Sequence, residues 1–288
     1  MRRRAREIPT VSYANPDDPL LRRLAIHSIE KVTGQPRLAR LYREYRLQGG
    51  PEASFWEAAV RRLRLSVRYD ETRFRAIPKE GPLVVVANHP YGVLDGIVIS
   101  YLTSKVRREF KVLAHSVLYR APEIRPFLLP IDFTETKQAV RQNLESRRLA
   151  LEQLAEGGAV IVFPAGAVST AERWFSRAVD SEWKPFTAKL IAQSQATVLP
   201  IFFEGQNSRL FQIASHINGA LREALILKEV ARRIGSEVRL QIGDPIPYGQ
   251  IDHIKDRQSL VDYLRAITYG LNPAGETVGD DGFSVALS

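Results

Sequence analysis

The spacing of apolar residues changes after Pro82. Beyond that proline, five short apolar runs alternate with longer segments in which apolar residues recur every three or four positions. Short runs bounded by turn residues predict strands, and the longer periodic segments predict helices. We expect strands at 83–87, 110–114, 159–163, 198–203 and 238–242, and helices at 95–106, 136–156, 185–195, 219–234 and 257–270.

The central predicted strands are continuous apolar runs, without the alternation of a sheet that faces water on one side. Continuous runs are typical of strands that are covered on both faces. Strands that alternate with helices indicate an α/β fold. We therefore expect a mostly parallel central sheet flanked by helices.

An N-terminal helical region is predicted before this sheet. Residues 17–47 have the pattern of two helices, separated by Gly34 and Pro36, which act as a stop signal followed by a start signal. A third helix is expected over 52–67. We divide the chain into this basic region at 1–75, packed on or next to the core, an α/β domain at 76–271, and a glycine-containing tail at 272–288 that we expect to be mobile.

The third predicted helix combines an apolar stripe with arginines. The arginines stand at positions 61, 62, 64 and 68. Aromatic residues on one side and arginines on the other suit a helix that lies in a membrane interface. They equally suit a helix docked on its own domain, and both alternatives stay open. The stripe consists of Phe55, Trp56, Ala59, Val60 and Leu63.

Positive charge is concentrated at the start of the chain. The 288 residues include 41 Lys and Arg against 32 Asp and Glu, a net charge of +9. Residues 1–75 hold 16 Arg and one Lys against nine acids, so the remainder is nearly neutral. Such a segment suggests a negatively charged partner, either anionic lipid, nucleic acid or an acidic protein. Because nothing beyond charge points to nucleic acid, we expect no nucleic-acid partner.

Several classes of protein are excluded by what the sequence lacks. The longest apolar run is about ten residues, against roughly 18 for a spanning helix, and no apolar segment follows the basic start as in a secretory signal. The absence of cysteine excludes disulfides, thiolate nucleophiles and cysteine metal sites. Walker A, GxGxxG, GxSxG and HExxH motifs are missing as well. We therefore expect no transmembrane helix, no bound cofactor and no metal.

One constellation suggests chemistry. Residues 88–96 have the sequence NHPYGVLDG and follow the first strand after Pro82, at the edge of an open α/β sheet where active groups lie. A tight turn through Pro90 and Gly92 brings Asp95 back toward His89. A carboxylate that orients a histidine allows it to take a proton from a hydroxyl. The alternatives are that Asp95 caps the following helix and that His89 is a structural turn residue.

Three ordered segments resemble the glycerolipid acyltransferase family. Residues 89–95 are similar to its H-x4-D motif with one additional residue. Residues 163–169, FPAGAVS, resemble its FPEGTRS motif, and 198–201 resemble its last motif, a strand that contains proline. The resemblance covers about residues 80–245. It implies direct transfer of an acyl group from a thioester to a lipid hydroxyl, with His89 as general base, Asp95 as its orienting partner and no acyl-enzyme.

The departures from the family pattern concern charge. Ala165 stands where the family has Glu, Val168 stands where it has Arg, and residues 128–133 lie near the second motif without its arginine. In the family these positions are associated with binding a phosphate, which is costly to leave unpaired in an apolar groove. We therefore expect an acceptor without phosphate. The pattern resembles a bacterial branch that includes lyso-ornithine lipid O-acyltransferases and proteins labelled hemolysins.

The resemblance implies a set of partners. The donor is expected to be acyl carrier protein or CoA carrying the acyl group, and the acceptor a lysolipid such as lyso-ornithine lipid. We expect peripheral attachment to anionic lipid at the cytoplasmic face of the bacterial inner membrane, through basic residues and apolar insertion of Phe55, Trp56 or Leu63. Alternatives are a lysophospholipid acyltransferase and a catalytically silent lipid-binding protein of the same fold.

The candidate site residues extend beyond His89 and Asp95. Glu204 and Asn207 are expected near His89, although Asn207 equally suits a helix cap. Arg120 either substitutes for the lost motif arginine or lies on the surface, and His115 either approaches the pocket or is structural. The residues expected to bind substrate are Asn88, Pro90, Tyr91, Gly92, Phe163, Pro164, Ala165, Gly166, Ser169, Glu204, Asn207 and Arg120.

Overall fold

The computed structural model describes residues 34–48, 54–120, 122–132, 134, 136–173, 176–217 and 219–275. Within these residues, seven strands form one sheet and two more form a separate hairpin. The strands are β1 Ser66–Arg68, β2 Leu83–Ala87, β3 Phe110–His115, β4 Leu128–Ile131, β5 Ala159–Val162, β6 Thr170–Ala171, β7 Ala178–Val179, β8 Thr197–Phe203 and β9 Glu237–Ile242.

Helices precede the sheet and connect its strands. They are α1 Gln35–Gln48, α2 Phe55–Arg62, α3 Glu71–Arg75, α4 Val93–Val106, α5 Lys137–Ala155, α6 Phe186–Ser194, α7 Arg209–Ile217, α8 Gly219–Arg232 and α9 Arg257–Gly270. Short 3-10 segments occur at Ser116–Arg120, Arg125–Phe127 and Tyr248–Gln250.

The order of strands in the sheet is β1-β9-β8-β2-β5-β3-β4. Every neighbouring pair is parallel except β8 and β9. The prediction of a mostly parallel sheet flanked by helices is therefore confirmed. Because β8, β2 and β5 are parallel neighbours, the loops that leave their carboxyl ends meet at one edge of the sheet.

Alternating side chains of the central strands belong to two different hydrophobic clusters. Leu83 and Val85 of β2 pack in a cluster that includes residues of α2, α4 and α8. Val84 and Val86 point to the opposite side and pack with α5, α6 and α9. Both faces of the sheet are thus covered, which explains why these strands are continuous apolar runs.

The N-terminal region differs from the prediction. The helix expected over 52–67 ends at Arg62, and after a turn in which Arg64 has a φ of 51° the chain forms β1, which pairs with β9. Of the two helices expected over 17–47, the second is α1, whereas the first lies outside the described residues. A strand of the central sheet thus lies within the region predicted to be helical.

The apolar stripe of α2 docks on the domain itself. Trp56 and Leu63 are 4% and 6% exposed and belong to the same cluster as the central sheet. The Trp56 ring packs against Phe110 and Phe127, with centroids 6.2 and 5.6 Å away. The expectation that Trp56 or Leu63 inserts into a membrane is therefore wrong, because burying these side chains within the domain already removes them from water.

The remaining differences are short elements. The sequence analysis did not predict β1, α3, β4, the β6–β7 hairpin or α7, and the strand expected to include Phe163 ends at Val162. Several of these segments have two to five residues, too few for a hydrophobic period to show. Pro130 lies within β4, an edge strand, where a missing N–H is tolerated.

We predict that Trp56→Ala destabilises the protein by about 3–5 kcal/mol, since it removes a buried indole and leaves a cavity between α2 and the sheet. Denaturant unfolding followed by circular dichroism measures this change. Leu47→Ala is the control, because Leu47 is 76% exposed and its loss should change the free energy of unfolding by less than about 0.5 kcal/mol. Equal stability of Trp56→Ala and the wild type would contradict the docked arrangement.

Candidate active site

The side chain of Asn88 extends the sheet beyond the end of β2. Its Nδ2 donates to the carbonyl oxygen of Phe203 at 2.9 Å, and its Oδ1 accepts from the Phe203 N–H at 2.6 Å. The side-chain amide thereby pairs with the backbone of β8 as a further strand residue would. Asn88 is 3% exposed and does not line the cavity, and its side chain fixes where the following loop begins.

The loop then folds around the Asp95 carboxylate. Asp95 Oδ2 accepts hydrogen bonds from the backbone N–H groups of Tyr91 and Gly92, at 2.8 and 3.0 Å. Gly92 has a φ of +73°, and a Cβ at that position would lie 3.1 Å from Val168 Cγ2. A glycine is therefore required both by the backbone conformation and by the close approach of the 163–169 loop.

His89 and Asp95 lie side by side. His89 Nδ1 is 3.1 Å from Asp95 Oδ2, within the distance of an ion pair, and Nδ1 makes no well-aligned hydrogen bond to any described residue. Asp95 is fully buried, and burial raises its pKa, while the nearby imidazole and the two backbone N–H groups act in the opposite direction. The two proposed roles of Asp95 therefore coexist, because one carboxylate both caps the start of α4 and faces His89.

Phe163 completes the environment of the imidazole. Its ring stacks on that of His89, with centroids 4.0 Å apart and an interplanar angle of 26°. Because Asp95 occupies the Nδ1 side, Nε2 is the ring nitrogen left for a substrate. His89 lines the cavity described below.

Asp180, which the sequence analysis missed, holds the His89 loop to the 163–169 loop. Its Oδ1 accepts from the His89 backbone N–H at 3.1 Å and from the Ser169 hydroxyl, and its Oδ2 accepts from Trp183 Nε1 at 3.0 Å. Burial raises the pKa of Asp180, and these donors oppose the shift. Asp180 is 91 positions from His89, so no local pattern marks it in the sequence.

The cavity beside His89 has a volume of about 880 Å³. Its wall is mainly apolar and includes side chains from α1, α2, α4 and α8 together with the ends of the central strands. Pockets of roughly 300–1,000 Å³ with apolar walls and few polar groups are typical of small-molecule sites. A histidine at the wall of such a cavity suits chemistry on a substrate with a long apolar part.

Some of the predicted substrate-binding residues line this cavity and others do not. Gly92, Phe163, Pro164, Ala165 and Gly166 form part of its wall. His115 also lines it, whereas Pro90 does not. The side chain of Arg120 lies outside the described residues.

Three predicted substrate-binding residues are hydrogen-bonded within the protein, and a fourth is buried outside the cavity wall. The Tyr91 hydroxyl donates to the carbonyl oxygen of Glu204, and the Glu204 carboxylate accepts from Gln241 Nε2 at 2.7 Å. Ser169, 1% exposed, donates its backbone N–H to the carbonyl oxygen of His89 at 2.9 Å. Asn207, 2% exposed, does not line the cavity. These contacts favour a structural role over the predicted contact with substrate.

The helix cap near Asn207 is provided by its neighbour. Ser208 Oγ accepts from the Phe211 N–H at 3.3 Å and donates to the Glu229 carboxylate. The side chain of Asn207 is buried, and neither of its polar atoms has a hydrogen-bond partner among the described residues. The cap of α7 is therefore Ser208 and not Asn207, for which the sequence also allowed this role.

Backbone N–H groups near His89 are also partly occupied. Those of Tyr91 and Gly92 bind Asp95, and that of Gly166 donates to the Phe163 carbonyl oxygen at 2.9 Å. The N–H groups of Ala165, Ala167 and Val168, three residues of the cavity wall, have no partner in the described part of the chain. They are therefore available as donors for a developing oxyanion.

The described residues contain neither a candidate metal site nor a helix suited to span a membrane. They contain no cluster of three or more His, Cys, Asp or Glu side chains placed to hold a metal ion. Among the same residues, no helix is both long and apolar enough to span a membrane.

Comparison with known proteins identifies the family. A family model described as Acyltransferase matches residues 39–277, most of the chain. The chain therefore belongs to this acyltransferase family and is an acyltransferase enzyme. The resemblance to acyltransferases drawn from the sequence motifs is thus confirmed.

Two curated relatives are lyso-glycine lipid O-acyltransferases. One, from Phocaeicola vulgatus, is 26% identical over 202 residues, which cover 68% of this chain and 70% of the relative. The other, from Bacteroides thetaiotaomicron, is 27% identical over 203 residues, covering 68% and 72%. Among solved structures, the 1-acyl-sn-glycerophosphate (LPA) acyltransferase PlsC from Thermotoga maritima aligns with a TM-score of 0.48 and 19% identity, over 86% of this chain and 88% of that one.

We predict that Asp180→Asn lowers kcat for acyl transfer by about 10- to 100-fold and changes KM little. All three groups that face this carboxylate are donors, so an amide nitrogen would meet a donor whichever way it turned. A misplacement of the His89 loop by about 1 Å costs on the order of 100-fold in rate.

Steady-state kinetics of the folded variant test this, with exposed Asp262→Asn as the matched control. A positioning role requires that kcat fall while KM is maintained. An unchanged kcat in a folded Asp180→Asn variant would show that this carboxylate is not needed to hold His89 for catalysis.

Proposed function

We propose that the protein transfers an acyl group from a thioester to the hydroxyl of a lysolipid. The observation that carries this proposal is the His89–Asp95 pair at the wall of an apolar cavity large enough for an acyl chain. The names of the two curated relatives support it, since both act on a lysolipid. A protein that only binds lipid has no use for a buried carboxylate oriented toward a histidine.

The chemical steps follow from the geometry. His89 Nε2 accepts the proton of the attacking hydroxyl, while Asp95 holds the other ring nitrogen and stabilises the resulting imidazolium. The hydroxyl oxygen bonds to the thioester carbonyl carbon, and the oxygen that gains charge is stabilised by the N–H groups of Ala165 and Ala167. The C–S bond then breaks, and His89 returns the proton to the departing thiolate. The products are an ester and a free thiol.

The acceptor is proposed to be an amino-acid lipid without phosphate, which bears its hydroxyl on a 3-hydroxyacyl chain. Ala165 and Val168 stand where the family motif that residues 163–169 resemble has Glu and Arg, and both line the cavity. Two uncharged residues there leave the family's usual phosphate contacts unmade. Lyso-glycine and lyso-ornithine lipids share this chemistry. The donor is proposed to be acyl carrier protein or CoA carrying the acyl chain, and no further cofactor is needed.

We predict that His89→Ala lowers the rate of acyl transfer by about 100- to 10,000-fold, because it removes the general base. Purified protein, a labelled acyl thioester and separate lyso-glycine, lyso-ornithine and lysophosphatidic acid acceptors would be used, with mass spectrometry of the products. His253→Ala is the matched control, since this histidine is exposed and outside the cavity. Full activity of folded His89→Ala would refute the mechanism.

We also propose that the protein reaches its acceptor at an anionic membrane surface, peripherally and at the cytoplasmic face of a bacterial inner membrane. Leu210 and Ile217 of α7 are 48% and 66% exposed and stand seven positions apart, on one side of the helix. Phe211 and Ala214 of the same helix are buried and pack against α8, which also forms part of the cavity wall. Exposed apolar side chains on a helix that packs against part of the cavity wall suit insertion among lipid head groups.

We predict that a Leu210→Glu/Ile217→Glu variant floats less with vesicles containing anionic lipid than the wild type does. The control is Leu144→Glu on α5. Leu144 is exposed, but its helix packs on the face of the sheet opposite to α8. The wild type should bind neutral vesicles less than anionic ones, because basic residues contribute about 1 kcal/mol each near an anionic surface. Equal flotation of the double variant and the wild type would refute the role of α7.

A further inference from the structure

The charged side chains of the described cavity wall are all positive. Among the described residues that line it, none is Asp or Glu, whereas four are basic. Arg62 lies over the Tyr45 ring, 5.7 Å from its centroid, at the end formed by the N-terminal helices. The other three are Arg147, Lys184 and Arg222, and no ion pair joins any of them to an acid of the described chain.

Lys184 is presented by a segment that is tied to the catalytic loops. Its backbone N–H donates to the carbonyl oxygen of Pro164 at 3.0 Å. The preceding residue, Trp183, donates to Asp180, which in turn accepts from the His89 N–H. The backbone of this lysine is thus fixed relative to His89 by hydrogen bonds, while the residue as a whole is exposed and lines the cavity.

Arg147 approaches the same part of the cavity from α5. Its guanidinium lies 4.7 Å from the centroid of the Phe186 ring, two residues after Lys184. The adjacent Arg148 differs, because it pairs with Glu145 and Glu152 and does not line the cavity. Two neighbouring arginines of one helix therefore have different partners, and the one that faces the cavity has no acidic partner.

Resting on the function proposed above, we propose that Lys184 and Arg147 bind the carboxylate of the acceptor's head group. An arginine and a lysine with no acidic partner provide charge-assisted donors for such a carboxylate. With no acid in the described wall, a second, cationic group such as the ammonium of ornithine has nothing to pair with. The acceptor class is therefore an N-(3-hydroxyacyl) amino acid whose head group is anionic, as in a glycine lipid.

The test compares two acceptors that differ only in charge, an N-(3-hydroxyacyl)glycine and its carboxamide. We expect the wild-type KM to be about tenfold lower for the carboxylate. Lys184→Gln and Arg147→Gln should each raise that KM about tenfold, leaving kcat and the KM of the carboxamide nearly unchanged, since only the charged acceptor loses a charge-assisted bond. Arg148→Gln and Lys189→Gln are the matched controls, because both residues lie outside the cavity wall.

Each other result overturns a defined part of the proposal. Equal KM values for both acceptors in the wild type refute the carboxylate subsite alone, whereas acylation of neither acceptor refutes the proposed function and the subsite with it. A rise in the KM of the acyl-CoA or acyl carrier protein donor, without change for the acceptor, would assign the two cations to a donor phosphate. A lower KM for N-(3-hydroxyacyl)ornithine than for the glycine acceptor would show that a cationic head group is accepted, against the proposal. If only Arg222→Gln raised the KM of the acceptor, the carboxylate would bind Arg222 on α8 and not Lys184 and Arg147.

Discussion

The site depends on the buried carboxylate of Asp180, which joins loops from different parts of the chain. A carboxylate removed from water is costly unless its oxygens are satisfied, and here every group around it is a donor. The same three bonds that compensate its burial fix the His89 loop, the 163–169 loop and the segment before α6 relative to one another. The position of His89 and the packing of these loops therefore depend on one carboxylate. A substitution that weakens its hydrogen bonds should lower both the activity and the stability of the protein.

This arrangement explains why several polar side chains near His89 do not line the cavity. The loops leave β2, β5 and β8 at one edge of the sheet, and their backbone groups must find partners there. Asn88 satisfies the backbone of Phe203, and Tyr91 satisfies the carbonyl oxygen of Glu204. Once these demands are met, most of the surface of the cavity wall is free to be apolar.

The sequence was sufficient for those features that depend on neighbouring residues. The continuous runs of β2 and β5 are buried on both sides, so they stand out in a single sequence, and His89 and Asp95 are close enough for one turn to bring them together. Asp180 is different, because its partners are set by the packing of distant loops. The prediction that Asn88 binds substrate has a related origin. A polar residue at the sheet edge follows a strand in the sequence in the same way whether its side chain binds backbone or a ligand.

The charge of the cavity wall could not be predicted from the motifs alone. Ala165 and Val168 made the site look uncharged, but a cavity receives side chains from every element around it, and here α5 and the segment before α6 supply Arg147 and Lys184. A phosphate monoester carries about −1.5 to −2 charges at pH 7, whereas a carboxylate carries one. Two long, exposed cations without a rigid bidentate cradle suit the smaller charge, because the desolvation that a phosphate demands would leave oxygens unpaired. Loss of the motif charges and retention of cations elsewhere are thus compatible, and together they favour a singly charged head group over either a phosphate or a neutral one.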